Sequence, residues 1–72
     1  MWRDISSRLG LGDLLDDETL ARFAAKHEIG AGDVAAALGT VARMRPSKED
    51  TCTLLETLLA QREELASVTA NG

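Results

Sequence analysis

Apolar residues recur at helical spacing in four segments of this chain, at about residues 2–9, 17–29, 32–44 and 48–66. Spacings of three and four residues place side chains on one face of an α-helix. Strand signals are nearly absent, because no apolar run alternates with polar residues and no hairpin turn is evident. The pattern therefore predicts an all-α fold made of four short helices.

Local sequence signals indicate where the second helix begins and ends. Asp16 or Asp17 is a good N-cap, since a carboxylate accepts a hydrogen bond from a free backbone N–H at the positive end of the helix dipole. Gly30 stands where a residue of positive φ would close this helix, which should end near Glu28 or Ile29.

The third and fourth helices are separated by a proline. The third should begin close to Gly32 or Asp33 and stop before Pro46, because a residue that precedes proline avoids helical angles. Ser47, with Asp50 three positions later, is close to a capping box, with aspartate in place of the usual glutamate. The fourth helix is therefore expected to start directly after Ser47.

A chain of 72 residues is one small domain or a piece of a larger one. The connections between the four segments are short enough to force neighbouring helices to pack on one another. The predicted architecture is a small four-helix bundle over residues 1–68, followed by a flexible tail at residues 69–72.

The charge balance argues against nucleic acid as a partner. Eight basic residues against twelve acidic ones give a net charge of −4, and the basic residues are scattered. No apolar stretch approaches the roughly 20 residues that span a bilayer, so no membrane contact is expected. Cys52 is the only cysteine, which agrees with a reducing compartment, and a cytoplasmic location is expected.

His27 and Cys52 are the residues that could act as a base and a thiol nucleophile. Nothing in the sequence brings them together and neither lies in a known local signature, so a structural role is favoured for both. One histidine and one cysteine also fall short of the three or four N and S ligands that zinc usually takes. We therefore expect the isolated chain to be no enzyme and to hold no metal.

A cluster of acidic residues near the start of the second helix invites comparison with a calcium loop. The cluster consists of Asp13, Asp16, Asp17 and Glu18. Its spacing does not fit the Asp-x-Asp-x-Asp-Gly pattern of such loops. Helix capping and a solvated first turn explain these residues more simply.

The turn Gly30-Ala31-Gly32 allows several interpretations. A Walker phosphate loop would need a preceding strand, a lysine and a serine or threonine, none of which is present. A carrier protein would need a serine after Asp33 to bear its phosphopantetheine arm, but Val34 follows and has no hydroxyl. The remaining alternatives are a plain connection between helices and a helix start that faces a phosphate.

The order of these signals resembles the C-terminal helical lid subdomain of AAA+ ATPases. In that family an Arg-x-x-Ile helix precedes an Asp-rich turn with a Leu-Ala helix, and a turn of the Ser-Gly-Ala-Asp-Ile type opens a third helix. Here Arg3 and Ile5 stand in for the first element, one residue short in spacing. The segments LLDDETLARFAAKHEI, GAGDVAAALGTVARM and SKEDTCTLLETLLAQ are similar to the others, with Asp33 and Val34 on the Asp-Ile pair.

The resemblance implies a non-catalytic lid that packs over a nucleotide and relays nucleotide state between subunits of a ring. In the family the start of the third lid helix faces the nucleotide. The equivalent positions in this chain would be Gly30, Ala31, Gly32 and Asp33. ATP and magnesium would be cofactors only together with a larger ATPase subdomain, which would be the partner, in the same chain or in a neighbouring subunit. This sequence has Gly32 in place of the usual alanine, and it has no arginine where many members sense the γ-phosphate.

A stand-alone protein–protein docking or adaptor module is the alternative function. The fourth helix carries a broad leucine stripe, and Trp2 is an aromatic residue that could cover one end of the bundle or mark a contact surface. Under this interpretation the residues that contact another protein would be Trp2, Leu54, Leu58 and Leu65.

Overall fold

The computed structural model describes the backbone of residues 1–71 and the side chains of residues 1–65. Its helices are α1 (Trp2–Arg8), α2 (Asp17–Lys26), α3 (Ala31–Met44) and α4 (Lys48–Asn71). No strand occurs within these described residues. The structure thus confirms the all-α, four-helix bundle that the apolar spacing predicts.

Helix α1 ends in a turn, and the residues that follow this turn enter the core. Gly10 has a φ of +73°, in the left-handed region that favours glycine. The N–H of Gly10 donates to the Ser7 carbonyl and the N–H of Leu11 to the Ser6 carbonyl, which is the hydrogen-bond pattern of a Schellman motif. Leu11 and Leu15, which follow, are both buried.

Helix α2 begins as predicted and ends differently. Asp16 is its N-cap, with a carboxylate oxygen that accepts a 2.8 Å hydrogen bond from the Thr19 N–H. The helix ends at Lys26, and His27 continues in an extended conformation. Gly30 has a φ of −73° and is the N-cap of α3, so its predicted role as a C-terminal residue of positive φ is wrong. The extended backbone at this point places the His27 side chain inside the bundle.

Helix α3 starts at Ala31, one residue before the predicted start, and ends at Met44. Arg45, with a φ of 49°, then turns the chain ahead of Pro46. This left-handed residue satisfies the end of the helix, since its N–H donates to the Val41 carbonyl. The connection to α4 is therefore only three residues long, which makes α3 and α4 antiparallel neighbours.

Helix α4 starts where the capping signal predicts and runs further than expected. The Ser47 hydroxyl accepts a hydrogen bond of 3.2 Å from the Asp50 N–H. The helix extends to Asn71, past the predicted end near Ala66, so the predicted tail at residues 69–72 overlaps it and Gly72 lies outside the described residues. Among the described residues, no helix is both long enough and apolar enough to cross a membrane.

Helix α3 forms the centre of the bundle, packing on α4 and on α1, while α1 also contacts α2. Burial of one leucine or valine side chain contributes roughly 1.5–3 kcal/mol, so a small set of such residues holds the fold. The core is formed by Trp2, Leu11, Leu15, Leu20, Phe23, Val34, Ala37, Leu38, Val41, Leu55 and Leu59.

Candidate functional site

The turn between α2 and α3 leads into a helix start that no side chain caps. The Val34 N–H donates to the Gly30 carbonyl and is the first to have a partner within the helix. The N–H groups of Ala31, Gly32 and Asp33 are therefore left without intrahelical acceptors. Gly30, Ala31 and Gly32 are exposed, and a Cβ added at either glycine would meet nothing within 4 Å. The start of α3 is open to close approach by a ligand or another protein.

Asp33, in the first turn of α3, pairs with Arg62 of α4. Nη1 of Arg62 lies 3.4 Å from Oδ1 of Asp33, and the two side chains are 42% and 37% exposed. A pair this exposed stabilises the fold by at most about 1 kcal/mol, so its main effect is positional. It holds a guanidinium from α4 next to the first turn of α3.

His27 ties the end of α2 to the same region of α4. Its Nδ1 lies 2.7 Å from Oε1 of Glu63, and the imidazole is only 5% exposed. The ring also stacks on Phe23, with centroids 6.2 Å apart. The other ring nitrogen, Nε2, is buried and has no hydrogen-bond partner among the described residues. The carboxylate of Glu63 is therefore the polar group that fixes this imidazole.

A third link joins α2 to α4 through Lys26 and Glu56, whose charged groups form an exposed ion pair. The hydrogen bond from the Lys26 ammonium, together with its charge, lowers the pKa of the Glu56 carboxyl below its ordinary value. Three residues of α4 thus make the links, namely Glu56, Arg62 and Glu63. They hold the turn between α2 and α3 against α4.

The structure does not bring His27 and Cys52 together. His27 is buried against Glu63, whereas Cys52 is exposed. Eleven residues of α4 separate Cys52 from Glu63, which corresponds to about 16 Å along the helix axis. The geometry therefore does not place the His27 imidazole within reach of the thiol.

The four residues predicted to contact another protein lie in different environments. Trp2 is 8% exposed and belongs to the core. Leu54 and Leu58 are half-buried on α4 and pack against the core. Leu65 is 61% exposed on the same helix. Leu65 therefore presents most apolar surface, and Trp2 covers the core within the chain itself.

The acidic cluster serves the start of α2. Hydrogen bonds from Thr19, through its hydroxyl and its backbone N–H, lower the pKa of Asp16. Asp17 lies 3.5 Å from the Arg3 guanidinium, and both side chains are exposed. Across the described residues, no group of three or more acidic, histidine or cysteine side chains is arranged to hold a metal ion.

Sequence reasoning missed Arg62 and Glu63, the α4 residues that fix the turn. The polar face of a helix carries many charged residues, and nothing local distinguishes these two. Their partners lie 29 and 36 residues earlier, so the pairing depends on how α4 packs.

The chain was compared with protein-family models, curated proteins and solved structures, and none of them matched.

Proposed function

We propose that this chain is a helical lid of the AAA+ type, which packs over a nucleotide held by a larger ATPase subdomain and relays nucleotide state between subunits. The observation that carries the proposal is the open, uncapped start of α3 at Gly30, Ala31 and Gly32. Free N–H groups at a helix start favour phosphate groups, and glycines let a ligand come close to the backbone. The order of the sequence signals, which resembles that of the lid family, supports the same assignment.

The charges around this turn are compatible with a bound phosphate. Asp33 alone would repel an anion from the start of α3, since a carboxylate lies in the first turn. The Arg62 guanidinium, 3.4 Å away, offsets that charge. With the charges of Asp33 and Arg62 offsetting each other, the helix dipole and the free N–H groups would attract the phosphate.

The lid would act by packing and by moving as one body. The three links to α4 and the shared core leave the turn little freedom to move relative to the bundle. When the lid moves as a rigid body, a small movement at the nucleotide rotates its whole surface. That rotation would change its contacts with a neighbouring subunit. The chemistry of ATP hydrolysis would belong to the larger subdomain.

The first test is the size of the native gene product, measured by immunoblot with an antibody against this domain. The lid proposal expects a band far above the 7.7 kDa of the chain, because a lid works with a larger subdomain. A band at about 7.7 kDa in the source cells would contradict it.

The second test uses the larger ATPase and two glycine substitutions on α3. Gly32→Val adds bulk where the nucleotide would approach, while Gly39→Ala adds a methyl group elsewhere on the helix, and neither Cβ would meet an atom within 4 Å. We expect Gly32→Val to raise the KM for ATP about tenfold, a loss of about 1.4 kcal/mol in binding. Gly39→Ala should leave the KM unchanged. Equal KM values for the two variants would count against a nucleotide at this turn.

A protein-docking module is the second candidate, favoured by the apolar surface of α4. Leu54, Leu58 and Leu65 share one helix face, and Leu65 is mostly exposed. A partner helix could lie along this face, with a second copy of the chain as the first to test. Sedimentation equilibrium should then show a dimer that Leu65→Ser weakens and that Met44→Ser, at an equally exposed position on α3, does not. A monomer at all concentrations would exclude self-association.

A further inference from the structure

A cavity of about 550 Å³ lies between α1, the α1–α2 turn and the first turn of α2. It is separate from the turn of the proposed nucleotide contact, because the ten residues of α2, about 15 Å of helix, lie between them. The residues of its lining that matter for binding are Arg3, Ser6, Asp13, Leu15, Asp16 and Asp17.

The cavity carries an excess of negative charge. Three carboxylates, Asp13, Asp16 and Asp17, face one guanidinium, that of Arg3, which leaves a formal charge of −2. Asp17 is near Arg3, and Asp16 caps α2. Asp13 has neither an ion pair nor a hydrogen bond among the described residues. Its carboxylate is available to a ligand.

Ser6, also in the lining, has a hydroxyl without a partner. Its side chain is 2% exposed, and Oγ makes no hydrogen bond among the described residues. A hydroxyl in a helix usually donates a hydrogen bond to the backbone carbonyl four residues earlier, as those of Thr40, Thr51 and Thr57 do in α3 and α4. Ser6 does not do so. Because Ser6 belongs to the cavity lining, its unpaired hydroxyl is a polar group that a ligand bound there would satisfy.

These features select the chemical class of the ligand. The first turn of α2 would attract an anion, but Asp16, Asp17 and Glu18 occupy that turn and reverse its preference. A bare metal ion does not suit carboxylates that are too dispersed to converge on one point. A guanidinium does suit them, because its five N–H donors spread over a plane and can reach a carboxylate and a hydroxyl at once.

We propose that this cavity binds an arginine side chain presented by a partner protein, with the guanidinium donating to Asp13 and Ser6 and the aliphatic stem lying on Leu15. The cavity is open and larger than one side chain, so a peptide segment fits it better than a free amine does. The net charge of −4 favours encounter with a basic partner.

The probe for this proposal is the peptide acetyl-Gly-Arg-Gly-amide, titrated into the ¹⁵N-labelled chain and followed by NMR. The matched neutral probe replaces arginine by citrulline, which keeps the shape and removes the charge. We expect the arginine peptide to shift the amide signals of Ser7, Gly12 and Asp13, and the citrulline peptide to leave them in place.

Three variants locate the binding. Asp13→Asn should weaken binding of the arginine peptide about fivefold, as expected for loss of a largely exposed ion pair. Ser6→Ala should weaken it as well and should leave the fold intact, since it removes a buried group that has no partner. Asp4→Asn, on α1 but outside the cavity, is the matched control and should bind normally.

Several outcomes would overturn the proposal. Equal weakening by Asp13→Asn and Asp4→Asn would mean that the peptide follows the general negative charge of the chain. Shifts spread over α4 would mean the same. Binding of agmatine as tight as that of the arginine peptide would assign the cavity to a free small-molecule guanidine and would exclude the partner-protein assignment.

Discussion

Replacing Glu63 by alanine removes the hydrogen-bond partner of the buried His27 imidazole in the described part of the chain. Nδ1 of His27 would then be unpaired, as Nε2 already is, inside a site where the ring is 5% exposed. An unsatisfied buried polar group costs about 1–3 kcal/mol. The carboxylate is 39% exposed, so water screens any charge contribution and the lower half of that range applies. We expect Glu63→Ala to lower the free energy of unfolding by about 1–2 kcal/mol.

The assay is urea unfolding followed by circular dichroism at the helical band. A loss of this size is a large part of the stability of a small domain, and in a thermal scan it corresponds to roughly 5–15 °C in Tm. Glu64→Ala is the matched control, because Glu64 is the adjacent, exposed acidic residue of α4. It should change the free energy of unfolding by less than about 0.5 kcal/mol, as surface substitutions usually do.

A second background isolates the contact itself. In a His27→Leu chain no imidazole needs a partner, so Glu63→Ala should then cost less than about 0.5 kcal/mol, and the coupling between the two sites should be about 1 kcal/mol. The same loss in both backgrounds, or equal effects of Glu63→Ala and Glu64→Ala, would refute the reasoning that the buried imidazole depends on this carboxylate.

Three further predictions concern the bundle. Hydrogen bonds from Thr19 lower the pKa of Asp16, so the stabilisation by this cap is complete above about pH 4, the ordinary aspartate value, and is lost as the pH falls through the lower, folded-state pKa. Urea midpoints measured against pH should show this loss, and in Asp16→Asn, which caps without titrating, the midpoint should lack this acid-dependent step. Gly39→Ala should raise the free energy of unfolding by about 0.5–1 kcal/mol, because the added methyl group meets no atom and the helix gains a better former; a decrease would show a hidden clash. Leu59→Ala should lower it by about 2–5 kcal/mol, since Leu59 is completely buried, whereas a loss below 1 kcal/mol would mean that the core readily collapses around the gap.

The helix starts could be predicted because their signals are local. A capping side chain and the N–H that it serves lie three residues apart, so the sequence predicts Asp16 or Asp17 as one cap and Ser47 as the other. The structure selects Asp16 and confirms Ser47. Gly30 shows the limit of such signals. A glycine after a helix often adopts positive φ, but here the helix already ends at Lys26 and His27 is extended. His27 contacts Glu63, which lies 36 residues further along the chain and so cannot be identified from local sequence signals.

The candidate site depended on long-range packing and could be predicted only in part. The small residues of the turn were apparent from the sequence, and the structure finds them exposed. The partners of His27 and Asp33, by contrast, are set by the angle and register of α4 against the rest of the bundle. Leu65 illustrates the same point, since helical spacing groups it with the other leucines, yet it lies 61% exposed while Leu55 and Leu59 are buried.

The three links between the α2–α3 turn and α4 have a consequence for the order in which the chain folds. They span 30, 36 and 29 residues, and all depend on the helix that the ribosome makes last among the four. Contacts of long sequence separation form late, because the intervening chain must first be ordered. The turn therefore takes its final shape only once α4 has packed on the other helices. A partner that binds the turn in its final shape would therefore bind only chains whose synthesis has passed Glu63.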